Sequence, residues 1–291
     1  MPDFSYQAAY SRNIGWVTPA EQQKLRQCRV AIAGMGGVGG VHLVTLARLG
    51  IGRFHIADLD TFDTPNINRQ IGASAATLGQ AKIDVMARMA TDINPEIELG
   101  RFDQGVNRAN IAPFLDGVDV YVDGLDFFAF DAREAIFAAC AERGIPAITV
   151  APIGMSAALM VFMPGGMTFE QYFGWAGQTD HEKALRFAFG LAPALLHRTY
   201  LAEPGAFDLA NRKTPSTGMA CQLCSGIAAT EALKVLLGRG TVKAAPHGMQ
   251  FDAYRGRLVH TWRPGGHRNP LQKLTLAFGR HKLASMKRGQ P

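Results

Sequence analysis

The sequence predicts an α/β fold built on a mostly parallel sheet with helices on both faces. Three observations predict it. Short apolar runs alternate with segments of helical period between residues 29 and 162. A glycine-rich turn, Gly34–Gly39, stands between the first apolar run and the first helix. The second and fourth runs end in carboxylates, Asp58 and Asp123, at the edge where a parallel sheet opens its ligand crevice.

Arg29–Ala33 reads as the first strand. The helix after it runs from about Gly37 to Leu49 and closes at the Gly50–Gly52 turn, glycine being suited to the left-handed residue that ends a helix. Phe54–Ala57 is a second strand, and Asp60–Ser74 is polar and without period. Gly79–Asp92 reads as a helix with Ile83, Met86, Ala87 and Ala90 on one face, stopped by Pro95. Ile97–Phe102 and Val118–Val122 are the third and fourth strands. Ala129–Arg143 is a helix ended by Gly144 and Pro146, and Ala147–Val150 and Ala157–Phe162 are the fifth and sixth strands.

The pattern then breaks. Gly165–Pro215 is rich in aromatics, Gly and Pro, with one helix around Glu182–Gly190. Phe169, Tyr172, Phe173 and Trp175 in it would either line a channel or form an apolar cluster under a long loop. Ser216 or Thr217 can cap a long helix to Leu237 whose Gly, Ala and Ser content predicts close packing. Gln250–Trp262 reads as a hairpin around Arg255-Gly256. The chain divides into an N-terminal arm (1–27), a nucleotide-binding domain (28–162), a crossover (163–217), a helix and hairpin completing the same domain (218–262), and a basic tail (263–291).

Seven of the Lys and Arg residues, and no Asp or Glu, lie from Arg263 onward; the remainder carries 23 basic against 24 acidic residues. The net charge of +6 is therefore a property of the tail, which suits RNA, an acidic partner or a plain solvated end. Four cysteines are too few for a disulfide framework. There is no charged-then-apolar leader, and no apolar stretch of membrane-spanning length is expected, so a cytoplasmic, reduced setting without a membrane is anticipated.

In Gly34-Met35-Gly36-Gly37-Val38-Gly39 the glycines allow a tight turn and close approach of backbone to phosphate, and the following helix start offers free N–H groups. Asp58, 19 residues beyond Gly39, is placed to hold a ribose hydroxyl, as in Rossmann-like folds. Asn66-Ile-Asn68-Arg69-Gln70 and then Lys82 add charge that a dinucleotide dehydrogenase has no evident need for, whereas a triphosphate under attack does. Asp126, after the fourth strand, suits Mg²⁺ beside a polyphosphate. No G-x-x-x-x-G-K-[ST] loop is present, so γ-phosphate transfer by a P-loop enzyme is not indicated.

From Tyr10-Ser-Arg12-Asn to about Phe162, and again over Ser225–Lys234, the chain resembles the ThiF/MoeB/HesA family of ubiquitin-activating-enzyme-like adenylyltransferases. The resemblance implies a homodimer that uses ATP and Mg²⁺ to convert a carboxylate to an acyl-adenylate, often the C-terminus of a ubiquitin-like protein or peptide. It implies that Arg12 reaches into the partner's ATP site, that Gly34, Gly36, Gly37 and Gly39 form the phosphate turn, and that Asp58 holds the ribose. Asn66, Arg69 and Lys82 would contact and polarise the phosphates, and Asp126 would bind the metal. The family's usual Asn after that aspartate is here Phe127, its usual arginine five residues on is Asp131 with Arg133 nearby, and the Ser before Asn66 is Pro65. These departures fall on the substrate side more than the phosphate side.

Cys221-x-x-Cys224 would need a second ligand pair to hold structural zinc, and none exists, so zinc is not expected. Some relatives use a cysteine to take the acyl group as a thioester, and Cys221 is the candidate; a buried cysteine at a helix start is the plainer alternative. Competing functions are a tRNA threonylcarbamoyladenosine dehydratase-like cyclising enzyme, which the Asn66–Gln70 run resembles, a non-catalytic nucleotide-binding scaffold, and a nicotinamide oxidoreductase.

Overall fold

The computed structural model describes residues 4–206 and 212–288. Alternation along each strand decides how the layers assemble. Val30 and Ile32 of β1 (Arg29–Ala33) enter one core, while Ala31 and Ala33 enter the other. The first core is closed by α2 (Pro19–Gln27), α3 (Gly39–Leu49), α4 (Lys82–Ile93) and α9 (Gly218–Leu237). The second is closed by α5 (Ile111–Phe114), α6 (Phe130–Arg143), α7 (Phe169–Phe173) and α8 (Asp180–Leu191). A fully buried side chain of this kind stabilises by roughly 1.5–3 kcal/mol, so the pattern fixes which face each helix must cover.

The remaining strands are β2 (Arg53–Ala57), β3 (Glu98–Phe102), β4 (Val120–Asp123), β5 (Ala147–Ile153), β6 (Ser156–Phe162), β7 (His247–Asp252) and β8 (Arg257–Trp262). They form one eight-stranded sheet in the order β3-β2-β1-β4-β5-β6-β7-β8. The first five strands run parallel, and β6, β7 and β8 extend the sheet as an antiparallel meander. The expected mostly parallel α/β sheet is therefore present, with the C-terminal hairpin added to its edge.

The expected boundaries shift where local chemistry extends or trims an element. The first helix begins at Gly39, because the glycines before it form the open turn. The second begins at Lys82, after Gly79 in a left-handed turn. β5 continues to Ile153 because β6 pairs along its whole length. The hairpin's first strand starts at His247, and a 3-10 turn, Thr64–Asn66, lies within the polar segment.

For two segments the structure narrows the alternatives that the sequence leaves open. The aromatics of the crossover line no channel: Phe169, Tyr172, Phe173 and Trp175 are buried against Phe137, Phe162 and Phe187. Phe169, Tyr172 and Phe173 lie on α7, opened by the Thr168 cap; Trp175 follows its closing Gly174, and Phe187 lies on α8, opened by the Thr179 cap. The basic tail is not a solvated end. α10 (Pro270–Arg288) packs on α8, with Gln272 and Leu276 buried, Arg280 paired to Glu182, and Gly279 placed where a Cβ would strike the Phe189 ring. Its basic residues leave α10 an inward apolar and small-residue face, which the charge count alone conceals. α9, with 20 residues, is also long and apolar enough to span a membrane, contrary to expectation. It packs instead on β5, β6 and α3, where its small residues Ala220, Ser225, Ala228 and Ala232 are buried.

The N-terminal arm is pinned to the end of α3. In α1 (Tyr6–Ala9) and just after it, the Tyr6 hydroxyl donates to the Gly50 carbonyl at 2.5 Å and the Tyr10 hydroxyl to the Ala47 carbonyl at 2.8 Å. Asn13 donates to the Leu49 carbonyl at 3.1 Å.

Candidate active site

A cavity of about 380 Å³ crosses the carboxyl edge of the parallel strands. It runs from Gly105 and Val106 after β3, past Asp58 after β2 and the glycine turn after β1, to Asp126 after β4 and Ala151–Ile153 at the end of β5.

The turn after β1 is built by near-contact of backbones. Gly34 sits at φ +88°, and a Cβ there would collide with the Gly124 carbonyl; one on Gly39 would collide with the Gly34 carbonyl. These two glycines bring the β1 and β4 loops together. Gly34, Gly36 and Gly37 line the cavity, whereas Gly39 lies behind the turn and does not. A Cβ on Gly37 would meet the Cys221 sulfur at 3.2 Å and Arg69 Cγ at 3.6 Å, so the absent side chain leaves the backbone exposed to a ligand.

Asp58 lines the cavity, its carboxylate accepting from the Met35 amide at 2.6 Å and the Asp60 amide at 2.8 Å. Burial raises its pKa above the ordinary carboxylate value, and those two amides oppose the rise. Lys82, 7% exposed, opens α4 and pairs with Asp60 at 3.0 Å. Arg69 donates to the Pro65 carbonyl and to Asn68 Oδ1, both at 2.9 Å, which holds its guanidinium beside the turn. Asp126 is exposed in the cavity wall and accepts from the Phe128 amide at 2.9 Å.

Asn66 and Arg12 are not brought to this cavity. Asn66 Oδ1 accepts from the Asp63 amide at 3.0 Å and closes the capping box of the 3-10 turn, so it shapes the Arg69 loop from outside. Arg12 is exposed in a 3-10 turn, Ser11–Asn13, anchored at the C-terminal end of α3. The glycine turn lies at the opposite end of that 11-residue helix, roughly 15 Å away at 1.5 Å per residue.

Three groups missed in the sequence line the cavity. Gln70 is 6% exposed, and its buried Oε1 has no hydrogen-bond partner. It stands beside Arg69, in the run already noted for its charge, and an orphaned buried amide oxygen beside a phosphate turn points to a bound polar ligand. Thr214–Ser216 returns from the crossover to form part of the wall, tied down by the Thr217 hydroxyl donating to the Gly154 carbonyl at 3.2 Å. Phe187 and Leu191 of α8 complete the β5 end.

Arg133, noted in the sequence only as nearby, organises the β4 loop. Its Nε donates to Asp123 at 2.9 Å, Nη1 to the Phe127 carbonyl at 3.1 Å, and Nη2 to the Leu125 and Asp126 carbonyls at 2.9 Å each. Asp123 also accepts from the hydroxyls of Thr149 at 3.0 Å and Tyr121 at 3.2 Å. One guanidinium thus fixes the loop that presents Asp126.

Cys221 lines the cavity but is 1% exposed. Burial raises its thiol pKa against the opposing effects of Ser216 and Arg69, so the protonated, poorly nucleophilic form prevails at neutral pH. All four cysteines are free. Among the described residues no cluster of three or more His, Cys, Asp or Glu is arranged to hold a metal. Magnesium carried by a nucleotide needs only one or two protein carboxylates, and the Asp126 carboxylate in the wall fits that role.

The ThiF family model matches residues 10–274. A tRNA threonylcarbamoyladenosine dehydratase of Bacillus subtilis is 34% identical over 141 residues, covering 48% of this chain and 55% of that protein. The sulfur carrier protein ThiS adenylyltransferase of Escherichia coli is 33% identical over 143 residues, covering 49% of this chain and 56% of that protein. The chain therefore spans about half the length of the curated relatives it matches. The crystal structure of Escherichia coli MccB with ATP has the same fold, with a TM-score of 0.65 at 20% identity, covering 87% of this chain and 71% of that one.

Proposed function

The chain belongs to the ThiF family, and from that premise we propose that it adenylates a carboxylate with ATP and magnesium, releasing pyrophosphate. The observation that supports this most is the convergence of Asp58 and Arg69 from the β2–α4 connection, Lys82 from the first turn of α4 and Asp126 from the β4–α6 connection on one cavity at the glycine turn.

The substrate carboxylate is already ionised at neutral pH, so no base is required to activate it. Its oxygen attacks the α-phosphorus, the bond from that phosphorus to the oxygen bridging to the β-phosphate breaks, and pyrophosphate leaves with the electron pair. The obstacle is repulsion between anions. Arg69 and Lys82 lower it by electrostatic stabilisation, the Gly36–Gly37 backbone allows close approach of the phosphates, and Asp58 orients the ribose. Magnesium, when bound at Asp126, supplies further positive charge at the phosphates.

Arg12 lies at the far end of α3 from its own cavity, so in this proposal it serves the cavity of a second copy in a homodimer. Cys221 receives no acyl-transfer role, since its thiol is buried and protonated. The substrate would be the C-terminus of a ubiquitin-like protein or a peptide. A tRNA-linked carboxylate is the second reading, favoured by the dehydratase relatives and by the basic C-terminal helix.

Carboxylate-dependent exchange of labelled pyrophosphate into ATP tests the proposal, with Asp126→Ala expected to abolish it. Intact ATP binding without exchange for any carboxylate would favour the scaffold. Tight tRNA binding that weakens steeply with salt would favour the second reading.

A further inference from the structure

The two ends of the cavity differ in chemistry. From β3 to β1 it carries Asp58, Arg69 and Lys82. Beyond Asp126, at the β4–β5 end, its walls are Phe127, Ala132, Ile153, Phe187 and Leu191. Among the described residues the charged groups lining that end are Asp123 and Arg133, and they are paired with each other at 2.9 Å. Every nitrogen of the Arg133 guanidinium already donates within the protein, and the Phe187 ring lies 4.6 Å from its Cζ. The Thr149 hydroxyl is likewise committed to Asp123. A charged group placed at this end would lose its hydration and find no unpaired charge, only the neutral Thr214–Ser216 segment of the wall, whereas an apolar group would exchange water for contact.

Phe127 directly follows Asp126, so the apolar end adjoins the place where the reacting carboxyl meets the phosphates. A carboxyl terminus of bare glycines would leave these walls facing water. We propose that the carboxylate activated here carries an aliphatic or aromatic side chain next to its carboxyl, seated against Phe127, Ala132, Phe187 and Leu191. This rests on the adenylation reading and narrows it to a substrate class.

Two measurements on the full chain separate the two ideas. The first is calorimetric binding of phenylacetate and of acetate in the presence of a non-hydrolysable ATP analogue, which reads the subsite without turnover. Phenylacetate is expected to bind at least about tenfold more tightly, as one apolar group in a matched pocket allows. The second is pyrophosphate exchange with acetylated tetrapeptides that differ only in their last residue, Gly, Asp, Leu or Phe, and with isovalerate and phenylacetate as free acids. Leu or Phe is expected to exceed Gly and Asp at least about tenfold in kcat/KM. Ala132→Leu, which narrows the subsite from a helical position with a strong helix former, is expected to lower the Phe-to-Gly ratio by about tenfold.

Equal binding of acetate and phenylacetate, or preference for Gly or Asp, overturns the subsite and leaves adenylation standing. Selective phenylacetate binding with no exchange for any acid upholds the subsite and overturns adenylation. An unchanged Phe-to-Gly ratio in Ala132→Leu overturns the assignment of the wall.

Discussion

Replacing Arg133 by Met removes a guanidinium whose side chain is 2% exposed and leaves the Asp123 carboxylate, 3% exposed, without its cation. The Tyr121 and Thr149 hydroxyls and the Leu125 amide remain as donors, but neutral donors do not neutralise a buried charge. Stranding one member of a buried pair costs about 3–5 kcal/mol, most of it the desolvation of the charge left behind. In a chain of this size that corresponds to a fall in Tm of about 5–8 °C. Three carbonyls of the loop presenting Asp126 also lose their common donor, so exchange activity should fall about tenfold or more in the folded variant, with a higher magnesium requirement. Urea unfolding of Arg133→Met, Asp123→Asn and the double variant is the assay, with exchange measured against magnesium concentration. The double variant should be more stable than Arg133→Met alone, because its charge has been removed with its partner. A loss below about 1 kcal/mol in Arg133→Met, or a double variant no more stable than that single one, would refute the buried-pair account.

Other perturbations follow from the same geometry. Lys82→Ala and Arg69→Ala should each lower exchange by about 100- to 1000-fold with little change in fold, read by exchange rates and circular dichroism. Gly37→Ala should fold and weaken ATP binding by about tenfold, since its Cβ enters the space at 3.2 Å from the Cys221 sulfur, whereas Gly34→Ala should fail to fold stably because its Cβ strikes the Gly124 backbone; calorimetry and unfolding curves separate the two. His42 is fully buried with neither ring nitrogen hydrogen-bonded, and burial lowers its pKa from 6.5 to about 4. The folded state therefore resists a proton that the unfolded chain accepts, so stability is full above pH 6.5 and declines as pH falls toward 4, by about 3 kcal/mol. His42→Leu should flatten that part of the urea-midpoint profile, and an equal slope in the variant would exclude His42 as its source. Mixing Arg12→Ala with Asp126→Ala should restore part of the exchange activity if the arginine acts across a homodimer, and no recovery would remove it from the mechanism.

Much of the phosphate side was legible in the sequence because its signals are local. A glycine turn needs only consecutive residues, and Asp58, Lys82 and Asp126 each stand at or just beyond the end of a strand or at the start of a helix. The proposed acyl side was not legible, because Phe187, Leu191 and Ser216 return to the cavity from far along the chain, and a helix read at Glu182–Gly190 does not tell which of its side chains reaches the β5 end. Asn66 and Gly39 show the converse. Both lie in motifs that suggest ligand contact, yet one caps a short turn and the other serves backbone packing. Gln70 lay in view beside Arg69, but only three-dimensional burial exposes its unsatisfied oxygen. The inward face of α10 was masked by its charge, since Lys and Arg dominate a residue count even when a helix keeps one side for packing.

The brace between α8 and α10 has an evolutionary consequence. The groups proposed to handle the polyphosphate come from residues 34–126, while the wall beyond them comes from Phe127 and Ala132 and from residues 151–216, the latter supported from outside by a helix starting at residue 270. Substitutions that retool selectivity can accumulate in the second set, with α10 absorbing the packing changes, while the reaction core stays intact. Such a division makes the scaffold modular: exchanging α8 together with its outer brace is a graft that should carry the part of the acid preference set by Phe187 and Leu191, while the part set by Phe127 and Ala132 stays with the recipient.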